Sequence, residues 1–194
     1  MSTLKYAKIA PDIWKALDAI PRTGWVKRGV SNPESVQKHI ILCRELVTKL
    51  VIDLPEFSVA EISEIQDILE VHDYPEYING DQVIVTEDQE EKKKLKLEKF
   101  QREYDAMIEI TKDLGDIGAE MFNLWLRFEK ENDRISIFAK QIDKFQSIEK
   151  AFEYEKRGEN VFVQDFIDGY RDEIIHPVLV KRMLRIEQLC KKRS

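Results

Sequence analysis

Apolar residues recur along this chain at spacings of three and four, the period of amphipathic helices, and nowhere settle into a sustained alternation. A first such stretch covers about residues 3–19 and stops before Pro21. Residues 21–32, PRTGWVKRGVSN, break the period and read as a loop. The next helix is expected to take Asn32 as N-cap and Pro33 as its first helical residue, and to run to about residue 52. One face of it carries Val36, His39, Ile40, Cys43, Leu46, Val47 and Leu50. Ser58 followed by Glu61 predicts a capping box for a helix over about residues 59–72, and residues 75–81 read as a turn. A long, highly charged helix follows at about 89–113, its inward stripe read as Leu95, Phe100, Tyr104, Met107, Ile108 and Leu114. Gly115 and Gly118 are expected to separate it from a helix over about 118–132. Further helices are predicted at about 134–157, 163–170 and 177–191, and DQVIVTED at 81–88 is a candidate for a short extended piece. The expectation is a single all-α domain over residues 1–194, a helical bundle whose central part spans about 32–157.

Four polar residues sit where this periodicity calls for apolar ones. His39 lies on the inward face of its helix, and His72 and Asp73 close the next one after Ile65, Ile68, Leu69 and Val71. Asp143 shares a stripe with Ala139 and Ile142. Two imidazoles and two carboxylates make a mixed nitrogen and oxygen set that suits a divalent transition metal or magnesium, with positions left for water or phosphate. A cation would also offset the cost of burying two carboxylates. Taken singly, each has a plainer explanation, a hydrogen-bonded structural histidine or an ion-paired aspartate. The loop at 21–32 adds Arg22, Trp25, Lys27 and Arg28, a basic and aromatic cluster able to grip phosphate and close against a sugar or base.

Composition narrows the function classes. With 194 residues, 43% of them hydrophobic, the chain can bury a core and hold a pocket. Its net charge of −6 supplies no basic field for a nucleic acid polymer. Two cysteines, Cys43 and Cys190, both in helical apolar patterns, point to a reducing, cytoplasmic setting. No window reaches the roughly 18 apolar residues that a membrane span requires, so no membrane partner is expected.

The segments IPRTGW (20–25), NPESVQKH (32–39), VHDYPEYINGD (71–81), LW (124–125), AKQIDKF (139–145), EYE (153–155) and IIHP (174–177) occur in an order that resembles the HD-domain phosphohydrolase superfamily and, within it, the 5′-deoxynucleotidase family. The resemblance implies that His39, His72, Asp73 and Asp143 bind a catalytic divalent metal ion, Mn²⁺, Co²⁺, Fe²⁺, Ni²⁺ or Mg²⁺. It places Glu76 and Asp81 beside the attacking water, as acid/base or second-metal groups, although Glu76 also suits a turn. Arg22 and Trp25 would line the nucleotide site; Lys140 and Lys144, by their position flanking Asp143, are further phosphate candidates. The implied reaction removes the 5′-phosphate from a small-molecule deoxynucleotide substrate, and the implied assembly is a homodimer. Hydrolysis of deoxynucleoside triphosphates and a non-catalytic nucleotide-binding role stay open as alternatives. Three places depart from the family pattern: Lys38 and Gln146 stand where acids are usual, and QVIVTEDQ after Asp81 lacks a proline-containing segment. His176 is expected to serve structure or a dimer contact.

Overall fold

The computed structural model describes residues 4–86 and 88–191. Among these the chain is helical, with no β-strand and one isolated bridge between Pro21 and Ser35. Three short helices, α1 (Tyr6–Ile9), α2 (Pro11–Leu17) and α3 (Thr23–Val26), precede α4 (Val36–Leu50), which ends in a 3-10 turn over Val51–Asp53. Then come α5 (Val59–Val71), α6 (Glu76–Asn79), α7 (Gln89–Thr111), α8 (Gly115–Lys130), α9 (Arg134–Lys156), α10 (Val163–Tyr170) and α11 (Pro177–Lys191).

The bundle is organised around α9, which packs against α4, α5, α8, α10 and α11. Its face Phe138, Ala139, Ile142, Phe145 and Ile148 is almost wholly buried, together with Ile40 and Leu46 of α4, Ile65, Ile68 and Leu69 of α5, and Trp125 of α8. Each buried Leu, Ile or Phe of this set contributes about 1.5–3 kcal/mol, which holds α4, α5 and α9 in contact at the positions that carry His39, His72 and Asp143. Helix starts follow the expected chemistry. Ser58 accepts from the Glu61 amide while Glu61 returns a bond to the Ser58 backbone, completing the capping box of α5. Asp133 accepts from the amides of Ile135 and Ser136 to cap α9. The N-terminal segment is tied down by buried Glu70, whose carboxylate accepts from the backbone N–H groups of Lys5, Tyr6 and Ala7 and from Arg44.

Several elements differ from the sequence pattern, each for a local reason. The first predicted helix is broken at Ala10, because Pro11 opens a new helix at its first turn; the predicted start at residue 3 lies outside the described residues. The cap of α4 is Ser35, whose hydroxyl accepts from the Lys38 amide at 3.1 Å, and not Asn32. Backbone bonds from Arg22 N to Glu34 O and from Val36 N to Ile20 O, both 2.9 Å, tie the segment around extended Ser35 to the preceding chain, so the helix starts only at Val36. The loop at 21–32 contains α3, and the turn at 75–81 contains α6. Gly118 lies inside α8, which begins at Gly115. Ile108 is exposed, while Met107 and Ile110 carry the stripe of α7 inward. Residues 81–86 form no strand, and Glu87, within the same candidate extended piece, lies outside the described residues.

Candidate metal centre

His72 is the C-cap of α5, and its backbone N–H still bonds to Ile68 O, so the helix end fixes where the ring and the following Asp73 point. His39 enters from the first turn of α4 and Asp143 from the middle of α9. The four side chains converge. His39 Nε2 lies 3.3 Å from His72 Nε2 and 3.0 Å from Asp143 Oδ1. Asp73 Oδ2 lies 3.2 Å from His72 Nε2 and 3.6 Å from His39 Nε2. Ligand atoms bound about 2.1 Å from a common ion in neighbouring octahedral positions are about 3.0 Å apart, so this spacing fits a shared divalent cation. The donor atoms of His39, His72 and Asp143 all lie within 4.8 Å of one another. Asp73 completes the group from the side nearest Arg22, 3.0 Å from its guanidinium.

The outer ring nitrogens decide which nitrogen faces inward. His39 Nδ1 lies 2.7 Å from Gln146 Oε1, and His72 Nδ1 lies 2.9 Å from the carbonyl of Leu69. Both partners only accept, so each imidazole carries its proton on Nδ1 and turns an Nε2 lone pair toward the centre. That is the orientation in which histidines ligate metals. Gln146 is fixed in turn by donating to Glu34 Oε2 at 3.1 Å, and the Trp25 indole donates to Glu34 Oε1 at the same distance. Neither Gln146 nor Glu34 stood out in the sequence as an orienting residue. The only signal was the departure at 146 itself.

Charge is concentrated here. Arg22 Nη1 faces Asp73 Oδ2 at 3.0 Å, Glu76 Oε1 at 3.4 Å and Asp81 Oδ1 at 3.7 Å. Burial would lower the Arg22 pKa, but Asp73, Glu76 and Asp81 hold it well above the ordinary value. Burial likewise works to raise Asp143 and Asp73; the hydrogen bond and charge of His39 hold Asp143 low, and His72 and Arg22 hold Asp73 low. Glu76 behaves oppositely, because burial and then Asp73 push its carboxyl well above the usual range. Its Oε2 is buried without a hydrogen-bond partner, an acceptor open to a water or substrate atom. Asp81 accepts from Thr23 N at 2.5 Å and receives the Thr23 hydroxyl on its carbonyl at 2.7 Å, so it anchors α3 and thereby Arg22. Cys43 Sγ approaches His39 Nε2 at 3.6 Å, but burial and then Asp143 push the thiol up, which makes it a poor thiolate ligand.

Trp25 is 4% exposed, stacked on Phe166 at 4.9 Å and set edge-on to Tyr154 at 5.1 Å. It forms part of the wall of a cavity of about 270 Å³ that Arg22 and Asp81 also line. Lys140 is engaged elsewhere, 2.9 Å from Glu129 and over the ring of Phe128 at 3.9 Å. Phe128 in turn packs on His72 at 4.8 Å, which leaves Lys140 one ring removed from the imidazole pair. His176 is not drawn into the centre; it bonds Glu56 at 2.7 Å and packs edge-on against Phe138.

The family model described as HD domain matches residues 15–177. The chain belongs to the HD-domain family. This HD-domain chain is 35% identical over 181 residues to 5′-deoxynucleotidase HDDC2 of Dictyostelium discoideum, a match covering 88% of the chain and 91% of the relative. It is also 35% identical over 176 residues to the human 5′-deoxynucleotidase HDDC2, covering 88% and 79%. Its fold is similar to the crystal structure of a predicted metal-dependent phosphohydrolase from Magnetospirillum magnetotacticum, with a TM-score of 0.71 at 20% identity over 97% of this chain and 92% of the other.

Proposed function

We propose that this HD-domain protein is a divalent-metal-dependent phosphomonoesterase that converts deoxynucleoside 5′-monophosphates into deoxynucleosides and inorganic phosphate. The observation that carries the reading is the convergence of His39, His72, Asp73 and Asp143, with both imidazoles locked in the ligating tautomer. Support for the substrate class comes from the 5′-deoxynucleotidase relatives that share 35% of the sequence over most of the chain.

His39, His72, Asp73 and Asp143 would hold the ion, which the donor set allows to be Mn²⁺, Co²⁺, Fe²⁺, Ni²⁺ or Mg²⁺. Such an ion, when bound, lowers the pKa of a coordinated water and neutralises phosphate charge. Glu76, whose Oε2 is buried without a hydrogen-bond partner, would orient the attacking water and take its proton. Water adds to phosphorus as the bond to the sugar 5′ oxygen breaks, and the departing oxygen takes up a proton. Arg22 is the phosphate clamp, exchanging part of its contact with Asp73 and Glu76 for phosphate oxygens. Asp81 positions that clamp through Thr23. Trp25 braces the sugar side from its packed position. Lys140 would touch phosphate only by leaving Glu129, so we assign it a contribution through charge alone. A homodimer, on the strength of the family resemblance, and a cytoplasmic setting, on the strength of the two cysteines in apolar helical patterns, complete the proposal; light scattering on the purified protein tests the former.

Product chromatography after incubating metal-stripped protein with dAMP, AMP or dATP, with and without Mn²⁺ or Co²⁺, tests the reading. Deoxyadenosine and phosphate from dAMP, with AMP spared, is the expected result. Triphosphate or pyrophosphate from dATP alone would overturn it. So would undiminished turnover of dAMP by His72→Ala or Asp73→Ala.

A further inference from the structure

The cavity that shares Arg22 and Asp81 with the metal centre is also lined by residues of α3 and α10. Its wall includes Phe166, Gly169 and Tyr170 of α10, Asp165 at the rim, and Ser147 of α9. Phe166 is held as a flat wall, stacked on Trp25 at 4.9 Å with 28° between the rings, and the guanidinium of Arg28 lies 4.6 Å from its centroid. Among the described residues, no side-chain hydrogen bond engages the Ser147 hydroxyl, the Tyr170 hydroxyl or the Asp165 carboxylate. The space thus combines aromatic surface with unengaged donors and acceptors, and it starts where the proposed phosphate clamp ends. A planar heterocycle with polar edges fits that chemistry, since rings stack on aromatic faces while edge atoms need directed hydrogen bonds.

We infer that this cavity is the nucleobase subsite, with Phe166 and Tyr170 as its aromatic wall, Ser147 and Asp165 as edge partners, and Gly169 as the opening that admits the ring. The inference rests on the deoxynucleotidase reading for its choice of ligand. Gly169 is its most telling residue. Gly169 lines the cavity and a Cβ built there meets nothing within 4 Å, so a larger side chain can be added at its wall without disturbing the protein around it. A carboxylate at the rim also favours bases that present an exocyclic amino group over thymine.

The test compares the native protein with Gly169→Leu, Phe166→Leu and Asp165→Asn. Two phosphomonoesters are assayed, dAMP and 2-deoxyribose 5-phosphate, the second lacking a base, and binding of 2′-deoxyadenosine is measured by calorimetry. Stacking on protein aromatics contributes about 1–3 kcal/mol per base, so kcat/KM for dAMP should fall about 10- to 100-fold in Gly169→Leu and Phe166→Leu, mainly through KM. In Gly169→Leu the constants for 2-deoxyribose 5-phosphate should stay within about twofold of native. Asp165→Asn should narrow the preference for dAMP over dTMP. Equal losses on both phosphomonoesters, or none on dAMP, would overturn the subsite. If the native protein hydrolyses neither, the deoxynucleotidase reading fails by itself; deoxyadenosine binding that Gly169→Leu abolishes would still sustain the cavity, and binding that survives it would refute the cavity.

Discussion

Gln146 Oε1 sits 2.7 Å from His39 Nδ1 and so dictates that the opposite nitrogen of the ring faces the metal centre. Partners that orient ligating histidines are worth about 10- to 100-fold in metal affinity. Gln146→Leu keeps the bulk of the side chain but removes the acceptor, and Mn²⁺ affinity measured by calorimetry should fall by that factor. Gln146→Glu should retain more of it, at the cost of setting a second carboxylate against Glu34.

Glu76→Gln separates proton handling from metal binding. Glu76 is buried at 3% exposure and contacts Arg22, while the four proposed ligand atoms come from other side chains. The expected result is a fall in kcat of about 10²- to 10⁴-fold with unchanged metal content by elemental analysis. A variant that loses its metal instead would make Glu76 a ligand.

Acid stability has one clear contributor away from the centre. Burial alone would raise Asp133; the hydrogen bond from Arg127 and the capped amides of Ser136 and Ile135 bring it down to about 2. A folded pKa below that of the unfolded chain, about 3.9 for a free aspartate, stabilises the fold above the higher value and is lost as pH falls through the lower one. Asp133→Ala should therefore cost about 1 kcal/mol in urea unfolding near neutral pH. That difference from native should shrink between about pH 4 and pH 2.

Replacing glycine by alanine inside a helix normally stabilises by about 1 kcal/mol. Gly118→Ala should do the reverse. A Cβ there would stand 2.3 Å from Thr111 O and 2.9 Å from Leu114 Cβ. Thr111 O is itself held by Leu114 N at 3.1 Å, in the turn that joins α7 to α8. Relieving the clash requires that turn to open, and thermal unfolding should report a lower midpoint.

Local chemistry was legible in the sequence where one residue acts on its own neighbours. The Ser58 and Glu61 capping box, the start of α11 at Pro177 and the apolar face of α9 follow from spacing alone. Asn32 and Pro33 misled because they too spell a helix start; what delays α4 is pairing with Ile20 and Arg22, which no local pattern announces. The inward imidazoles and carboxylates were conspicuous against apolar faces. Glu34 was hidden because it precedes its helix, and its burial arises only when α3 and α9 close over it.

His39 and Asp143 touch across 104 residues of chain, and Arg22 meets Asp73 across 51. His39, His72 and Asp73 come from α4 and the end of α5, but Asp143 comes from α9, so all three helices must be docked before the four side chains meet. An ion that binds the finished arrangement, and not the open chain, raises the unfolding free energy of the entire bundle by RT ln(1 + [M]/Kd). The same ion that makes phosphate reactive is then a clasp on the fold. Cellular metal supply would govern how long the protein survives as well as how fast it works.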